Sequence, residues 1–174
     1  MTNHWIDIKN ADAVLIMGSN AAEHHPVSFK WIMRAKDAGA TIMHVDPKFS
    51  RTSARCDFHV PSRSGTDIAF LGGMINYIIE SGSWFKDYVV NYTNATYVLA
   101  DSYDFKDGLF SGYNAEKRTY DRSSWTFKRD EKGAPVRDFT LKDERCVFNV
   151  MAKHYSRYTL DNVSSITGVS KENL

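Results

Sequence analysis

The chain has 174 residues, 43% of them hydrophobic and 25% charged, with a formal net charge of +1. That composition suits a globular protein with a sizeable core, and its near-neutral balance gives no electrostatic footprint for nucleic acid or an acidic membrane surface. No apolar run approaches the roughly 20 residues that cross a bilayer, and the sequence carries no recognisable secretory signal of its own.

Trp5-Ile6-Asp7-Ile8 reads as a short helix or turn feeding a first strand over 12–17. Pro26 suits the first turn of a helix, where its missing N–H costs nothing. That helix runs through Phe29, Trp31, Ile32 and Ala35 to a stop at Gly39. A second strand covers 40–45, and a short third one is Phe58-His59-Val60, just before Pro61. Thr66 or Ser64 is the expected cap of the next helix, in which Ile68, Leu71, Ile75 and Ile78 have the spacing of an amphipathic helix and Gly82 is the stop. The order strand–helix–strand–strand–helix predicts an α/β fold, a parallel Rossmann-like sheet flanked by helices.

The second half changes character. Trp84 to Tyr92 reads as helix and Ala95 to Ala100 as an extended, β-branched and aromatic run. Residues 101–145 are rich in Asp, Lys, Arg, Gly and aromatics with weak periodicity. Within them Ser124–Lys128 and Val136–Thr140 flank Asp130-Glu131-Lys132-Gly133, the pattern of a surface β-hairpin. The aromatics of 84–127 read as packing residues and not as a nucleic-acid stacking platform. Helices return over 146–156 and 160–167, with Gly168 as a stop, and Ser170–Asn173 resembles the opening turn of another helix. The expected organisation is an α/β lobe over 1–100, a loop-and-hairpin insertion over 101–145, and a helical segment over 146–174 that continues into further sequence.

Three polar segments stand just past apolar strands or before a helix. Parallel sheets gather the carboxyl ends of their strands on one edge, where ligands bind. Gly18-Ser19-Asn20-Ala21-Ala22-Glu23 offers backbone amides and the Asn20 side chain for phosphate oxygens. It is not G-x-G-x-x-G and does not specify NAD; an ordinary capped strand–helix turn is the other reading. Asp46 follows the second strand, where a carboxylate either accepts hydrogen bonds from a ribose diol or simply starts a turn with Pro47. Lys48 and Arg51 are phosphate partners or solvated charges. Gly65-Thr66-Asp67 opens a helix: Asp67 is either a dipole-compensating residue or an acceptor-only group matching guanine N1–H and N2–H₂. Together the three segments suit a nucleotide with a pyrophosphate.

Other chemistries are excluded. His24 and His25 are adjacent and have no further His or Cys at ligand spacing. Ser19, His24 and Asp46 lack the G-x-S-x-G elbow of a hydrolase. Cys56 and Cys146 stand 90 positions apart and read as separate thiols, with a disulfide as the alternative, and are too few for an iron–sulfur site. No catalytic residue and no metal ligand is assigned in this chain.

The order and spacing of several runs is more specific than any one of them. These are Met1-Thr2-Asn3-His4-Trp5 with Asp7-Ile8 and Asn10-Ala11-Asp12, Met17 to Glu23 with His25-Pro26, Val45-Asp46-Pro47-Lys48 with Arg51-Thr52, and Arg63 to Ala69. Asp107 to Tyr113, Ala115-Glu116-Lys117-Arg118 and Ser156-Arg157-Tyr158-Thr159 extend the pattern. Across essentially the whole chain they resemble the molybdopterin oxidoreductase family, and within it the catalytic (alpha) subunits of selenocysteine-containing formate dehydrogenases. The resemblance implies a molybdopterin guanine dinucleotide with Mo or W, two such dinucleotides surrounding one metal. Gly18, Ser19, Asn20 and Glu23 would line the phosphate and ribose region, Asp46 would hold the ribose, and Pro47 and Lys48 would shape the neighbouring turn. Gly65 and Asp67 would read the guanine. The family usually has Arg where this chain has Lys48, which keeps the charge and loses the bidentate fork.

The same resemblance implies parts not found in this sequence: a [4Fe–4S] domain, the metal-ligating selenocysteine and its histidine upstream, and a catalytic arginine downstream. A UGA selenocysteine codon read as a stop, with a restart at the next methionine, would give a reading frame opening at Met1. The expectation is therefore a piece of a larger subunit, inactive alone. Its parent would oxidise formate to carbon dioxide in anaerobic respiration and pass two electrons through metal and cluster to an iron–sulfur electron-transfer subunit. By resemblance the location is periplasmic, with cytoplasmic as the alternative. A stand-alone nucleotide-binding module and another molybdopterin oxidoreductase are the competing readings.

Overall fold

In the computed structural model, which describes residues 3–174, strands β1 (Ala13–Met17), β2 (Thr41–Val45) and β3 (Phe58–Val60) form a parallel sheet in the order β1-β2-β3. Met1 and Thr2 lie outside the described residues. The register sets Ile16 beside His44 and His44 beside His59, and Met17 beside Val45 and Val45 beside Val60. Between β1 and β2 come a single turn, α1 (Ala21–His24), and the longer α2 (Pro26–Asp37) with Pro at its start, as expected. A 3-10 helix over Trp5–Asn10 precedes β1.

The core follows from α2's spacing. Phe29, Ile32 and Ala35 recur at three and three residues, so they share one face and bury against Ile16 and Ile42. Each of the Phe and Ile side chains removed from water is worth about 1.5–3 kcal/mol. Asp57 pins the edge of this layer: its carboxylate accepts from Lys36 Nζ at 2.8 Å and from the Ile42 N–H at 2.8 Å. Those bonds hold it below the usual carboxylate range.

The chain forms two compact units, one of residues up to Leu71 together with Leu160–Leu174, the other Gly72–Thr159. The expected divisions at 100 and 145 are not followed. In the first unit α6 (Leu160–Thr167) returns to the segment before α3 (Asp67–Glu80). The Arg63 guanidinium donates to the carbonyls of Ser165 at 2.9 Å and Ile166 at 3.3 Å, and the Arg63 N–H to Thr167 O at 2.9 Å. These are orphan carbonyls of a helix end, which need donors.

Helix α3 forms where expected, but its apolar stripe is not its buried face. Ile68 is 77% exposed and Leu71 and Ile78 are also exposed, while Ala69, Phe70 and Asn76 are buried. A helix that is apolar on two faces satisfies the amphipathic spacing on one and packs with the other.

In the second unit, α4 (Lys86–Tyr92) and α5 (Val147–Tyr155) match expectation, and Trp84 packs on Phe148 with ring centroids 4.9 Å apart. The run Ala95–Ala100 is extended: Tyr97 pairs with Arg137, Val98 with Cys146, and Leu99 with Phe127. This changes the expected hairpin. Its turn closes through Asp130, whose carboxylate accepts the N–H groups of Lys132 and Ala134, and Arg129 bridges Pro135. The arms stay paired at the base of the tip, where the Val136 N–H donates to Lys128 O at 2.8 Å, and beyond that Phe127 and Arg137 pair with the run 95–100. The central run offers backbone groups on both sides.

Two small hairpins were not anticipated: β4 (Phe105–Lys106) with β5 (Leu109–Phe110), and β6 (Tyr113–Asn114) with β7 (Thr119–Tyr120). Asp107 and Gly108 have φ of 53° and 80°, the double positive φ of a tight hairpin turn. At Gly112 a Cβ would lie 2.0 Å from the Asp121 carbonyl oxygen, so only glycine fits. Phe105, Phe110, Tyr120 and Trp125 pack edge-on or stacked on one another across these hairpins, the packing role expected for the aromatics.

Gly72 tests the second unit. A Cβ there would sit 2.8 Å from the Tyr158 ring, an overpacking cost of about 1–3 kcal/mol against a helix-propensity gain of at most about 1 kcal/mol. Gly72→Ala is expected to lower the urea midpoint, and Tyr158→Ala in the same chain to remove that loss. A stabilised single variant would contradict the contact.

Candidate functional site

The ladder of the sheet continues one residue past its strands. Gly18 N–H donates to Val45 O at 3.0 Å, and Asp46 N–H to Val60 O at 3.2 Å. The turn after β1 and the start of the turn after β2 therefore lie side by side at the carboxyl edge, as a parallel sheet requires. Gly18 has φ of +62° and nothing within 4 Å of a would-be Cβ, so the chain turns there beside open space.

The N–H groups of Ser19, Asn20 and Ala21 donate to nothing among the described residues. Three successive free amides form a donor row for an anion. The helix that follows is only the single turn α1, so the expected dipole contribution is small and the amides carry the site. Asn20 is spent on holding this turn: its Nδ2 donates to Glu23 Oε2, and its Oδ1 accepts from Thr52 Oγ1 at 2.9 Å. Glu23 also pairs with Arg51 at 3.3 Å. Both were expected to line the ligand region; here their side chains brace it.

Thr52 is the residue that sequence reasoning missed. It is fully buried, and its Oγ1 accepts the Ala22 N–H at 3.0 Å while donating to Asn20. The turn after β2 thereby fixes the turn after β1. The Arg51-Thr52 pair in the family-like run was the available signal, without a role attached.

Asp46 starts the turn foreseen for it. Its Oδ1 accepts the Lys48 N–H at 2.8 Å, closing a turn through Pro47. Its backbone carbonyl accepts from His59 Nε2 at 2.9 Å. The other carboxylate oxygen, Oδ2, lies 3.8 Å from Nε2 of His44. Pro47 and Lys48 are exposed, and the Lys48 ammonium makes no ion pair among the described residues. His44 is fully buried, with Nδ1 2.8 Å from Ser53 Oγ. Burial lowers its pKa below the ordinary value, against the upward pull of Asp46 and with a further lowering by His59. The imidazole is therefore neutral at pH 7.

Gly65 has φ of +80° beside open space. The Thr66 hydroxyl, expected as a cap, donates back to Arg63 O at 2.6 Å across the Gly65 turn. Asp67, the first residue of α3, is exposed, and its carboxylate has no partner among the described residues. No bond ties Asp67 to Asp46 or to the Gly18 turn; it stands apart from the pair that the sheet register brings together.

Two outcomes follow. Thr52→Val strands the Ala22 N–H and Asn20 Oδ1, and is expected to cost about 1–3 kcal/mol of stability by urea unfolding; a loss below measurement error would deny Thr52 its bracing role. The second concerns pH. The unfolded chain binds a proton at His44 near 6.5 while the folded chain resists it. Stability should thus fall as pH drops below about 6.5 and level off once folded His44 is protonated. His154, lowered by burial and Arg157, adds to the slope. His44→Gln is expected to reduce the slope between pH 6.5 and 5, and an unchanged slope would contradict the burial argument.

Comparison with known proteins places this geometry. The chain matches the molybdopterin oxidoreductase family over residues 1–111. It is 73% identical over 174 residues to the formate dehydrogenase 2 subunit alpha (cytochrome c-553) of Nitratidesulfovibrio vulgaris, covering 100% of this chain and 17% of that protein. To the formate dehydrogenase-O major subunit of Escherichia coli it is 52% identical over 173 residues, covering 99% and 17%. Among solved structures, acetylene hydratase from Pelobacter acetylenicus shares the fold, with a TM-score of 0.58 and 21% identity over 93% of this chain and 15% of that one. The chain thus spans about 17% of the length of the relatives it matches. With more than half of its length matched, and with the parallel sheet in place, the chain belongs to the molybdopterin oxidoreductase family.

Proposed function

We propose that this chain is the nucleotide-binding portion of the catalytic subunit of a Mo/W-dependent formate dehydrogenase, holding a molybdopterin guanine dinucleotide at the carboxyl edge of β1–β3. The observation that carries the reading is the row of free Ser19, Asn20 and Ala21 amides beside Asp46. The residues fit the group: amide donors suit pyrophosphate oxygens, and a buried, unpartnered imidazole nitrogen lies behind the Asp46 carboxylate. Its similarity to formate dehydrogenase alpha subunits supplies the reaction class.

When bound, the pterin-held metal supplies the two-electron chemistry that takes formate to carbon dioxide. The chain's own residues bind and orient. Gly18 turns the backbone so that the three amides meet the pyrophosphate, braced by Asn20, Glu23 and Thr52. Asp46 offers Oδ2 to ribose hydroxyls while Oδ1 holds the Pro47–Lys48 turn. Lys48 brings a flexible positive charge to phosphate. Asp67, after the Gly65 turn, accepts from guanine N1–H and N2–H₂. The [4Fe–4S] cluster, the iron–sulfur partner subunit, the remainder of the catalytic subunit and a periplasmic location belong to the same proposal and rest on the resemblance alone.

Guanosine and adenosine diphosphates separate the roles. Adenine lacks the paired donors that match Asp67, and losing one charge-assisted bond costs roughly 1.5–3 kcal/mol. The chain is expected to bind guanosine diphosphate at least about tenfold more tightly by calorimetry, and Asp67→Asn to erase the preference. Equal affinities in the wild-type chain would remove Asp67 from base selection, and no binding of either would remove the nucleotide reading.

A further inference from the structure

Nε2 of His44 is buried and has no hydrogen-bond partner among the described residues. A stranded imidazole nitrogen costs free energy unless it serves a neighbour. Asp46 Oδ2 lies 3.8 Å from it, about 1 Å beyond a charge-assisted hydrogen bond, and the Ser19 backbone also acts on the ring. The other nitrogen, Nδ1, meets Ser53 Oγ at 2.8 Å. That hydroxyl accepts the Ser50 N–H at 2.9 Å and lies 3.5 Å from Ser50 Oγ, and it has a proton to donate to Nδ1. A carboxylate facing Nε2 favours the neutral tautomer with its proton on Nε2, which the Ser53 hydroxyl meets by donating to Nδ1.

The strand alongside repeats the arrangement on the same residue. His59 Nε2 lies 2.9 Å from the Asp46 carbonyl, and a carbonyl only accepts, so this imidazole also carries its proton on Nε2. The two rings stand 5.8 Å apart between centroids, and Phe49 meets His59 edge-on at 5.2 Å. One histidine fixes the backbone of Asp46; the other faces its side chain.

We infer that His44 is a positioning residue for the ligand-binding carboxylate: its Nε2–H, set by Ser53, orients Asp46 Oδ2 toward the ribose hydroxyls of the nucleotide. This rests on the proposed nucleotide site. It assigns His44 no contact with the ligand; the residue acts through Asp46. Ser53 and Thr52 are buried neighbours in one turn, so a single segment sets both the amide row, through Thr52, and the carboxylate, through His44.

Nitrogen-15 imidazole spectra of the 174-residue chain test the pairing without any ligand. The wild-type His44 should show the proton on Nε2; Ser53→Ala should admit the Nδ1–H form, and Asp46→Asn should move the His44 titration to lower pH. A wild-type ring protonated on Nδ1, or a titration unmoved by Asp46→Asn, overturns the inference whatever the ligand does. Guanosine diphosphate then reads the consequence. His44→Leu should weaken binding about tenfold, and His44→Gln, which keeps an N–H near the same place, should restore part of it. Undiminished binding by folded His44→Leu overturns the positioning role. Absence of binding by the wild-type chain overturns the nucleotide site itself and this role with it. If His44→Leu does not fold, the Ser53→Ala and Asp46→Asn spectra still decide.

Discussion

The carboxyl edge of the sheet depends on one turn, Ser50 to Ser53, whose Thr52 and Ser53 are buried. Thr52 bonds to both the Asn20 side chain and the Ala22 backbone, and Ser53 bonds to His44. Two loops that a parallel sheet merely places near each other are thereby held in fixed relation. The energy involved is modest for each bond, about 1 kcal/mol net, but the cost of leaving these buried groups unpaired is larger.

The consequence is a division of labour among the polar residues. Asn20 and Glu23 spend their side chains on bracing, which frees the backbone of the same turn to act as donor. Asp46 is divided between its oxygens: Oδ1 holds the chain, and Oδ2 lies 3.8 Å from His44 Nε2. Asp67 is unencumbered and exposed, which suits a group whose partner is a ligand. Preorganisation of this kind lowers the ordering cost of binding.

Much of the fold was legible because its signals are local. β1, β2, β3, α2 and α3 were all anticipated from apolar runs, Pro26 and Gly stops. What the sequence pattern does not encode is which apolar face is covered: Ile68 and Leu71 have helical spacing and remain exposed, while the less conspicuous Ala69 and Phe70 are buried. Pairing partners across long separations are likewise not encoded locally: 124–128 and 136–140 read as hairpin arms, and they do meet at the hairpin base, but their pairing with 95–100 carries no local signal. The Asp107-Gly108 turn signal was present and went unread amid a charged stretch. At the site, the residue types at strand ends pointed to the right edge, but buried side chains such as Thr52, Ser53 and His44 gain their meaning only from contacts made across 30 residues or from one strand to the next.

The most direct measurement is native mass spectrometry of the chain after incubation with molybdopterin guanine dinucleotide. The account predicts one dinucleotide retained per chain, and displacement of that adduct by excess guanosine diphosphate. A chain that retains no dinucleotide while remaining folded would contradict the assignment of this sheet edge as its binding site.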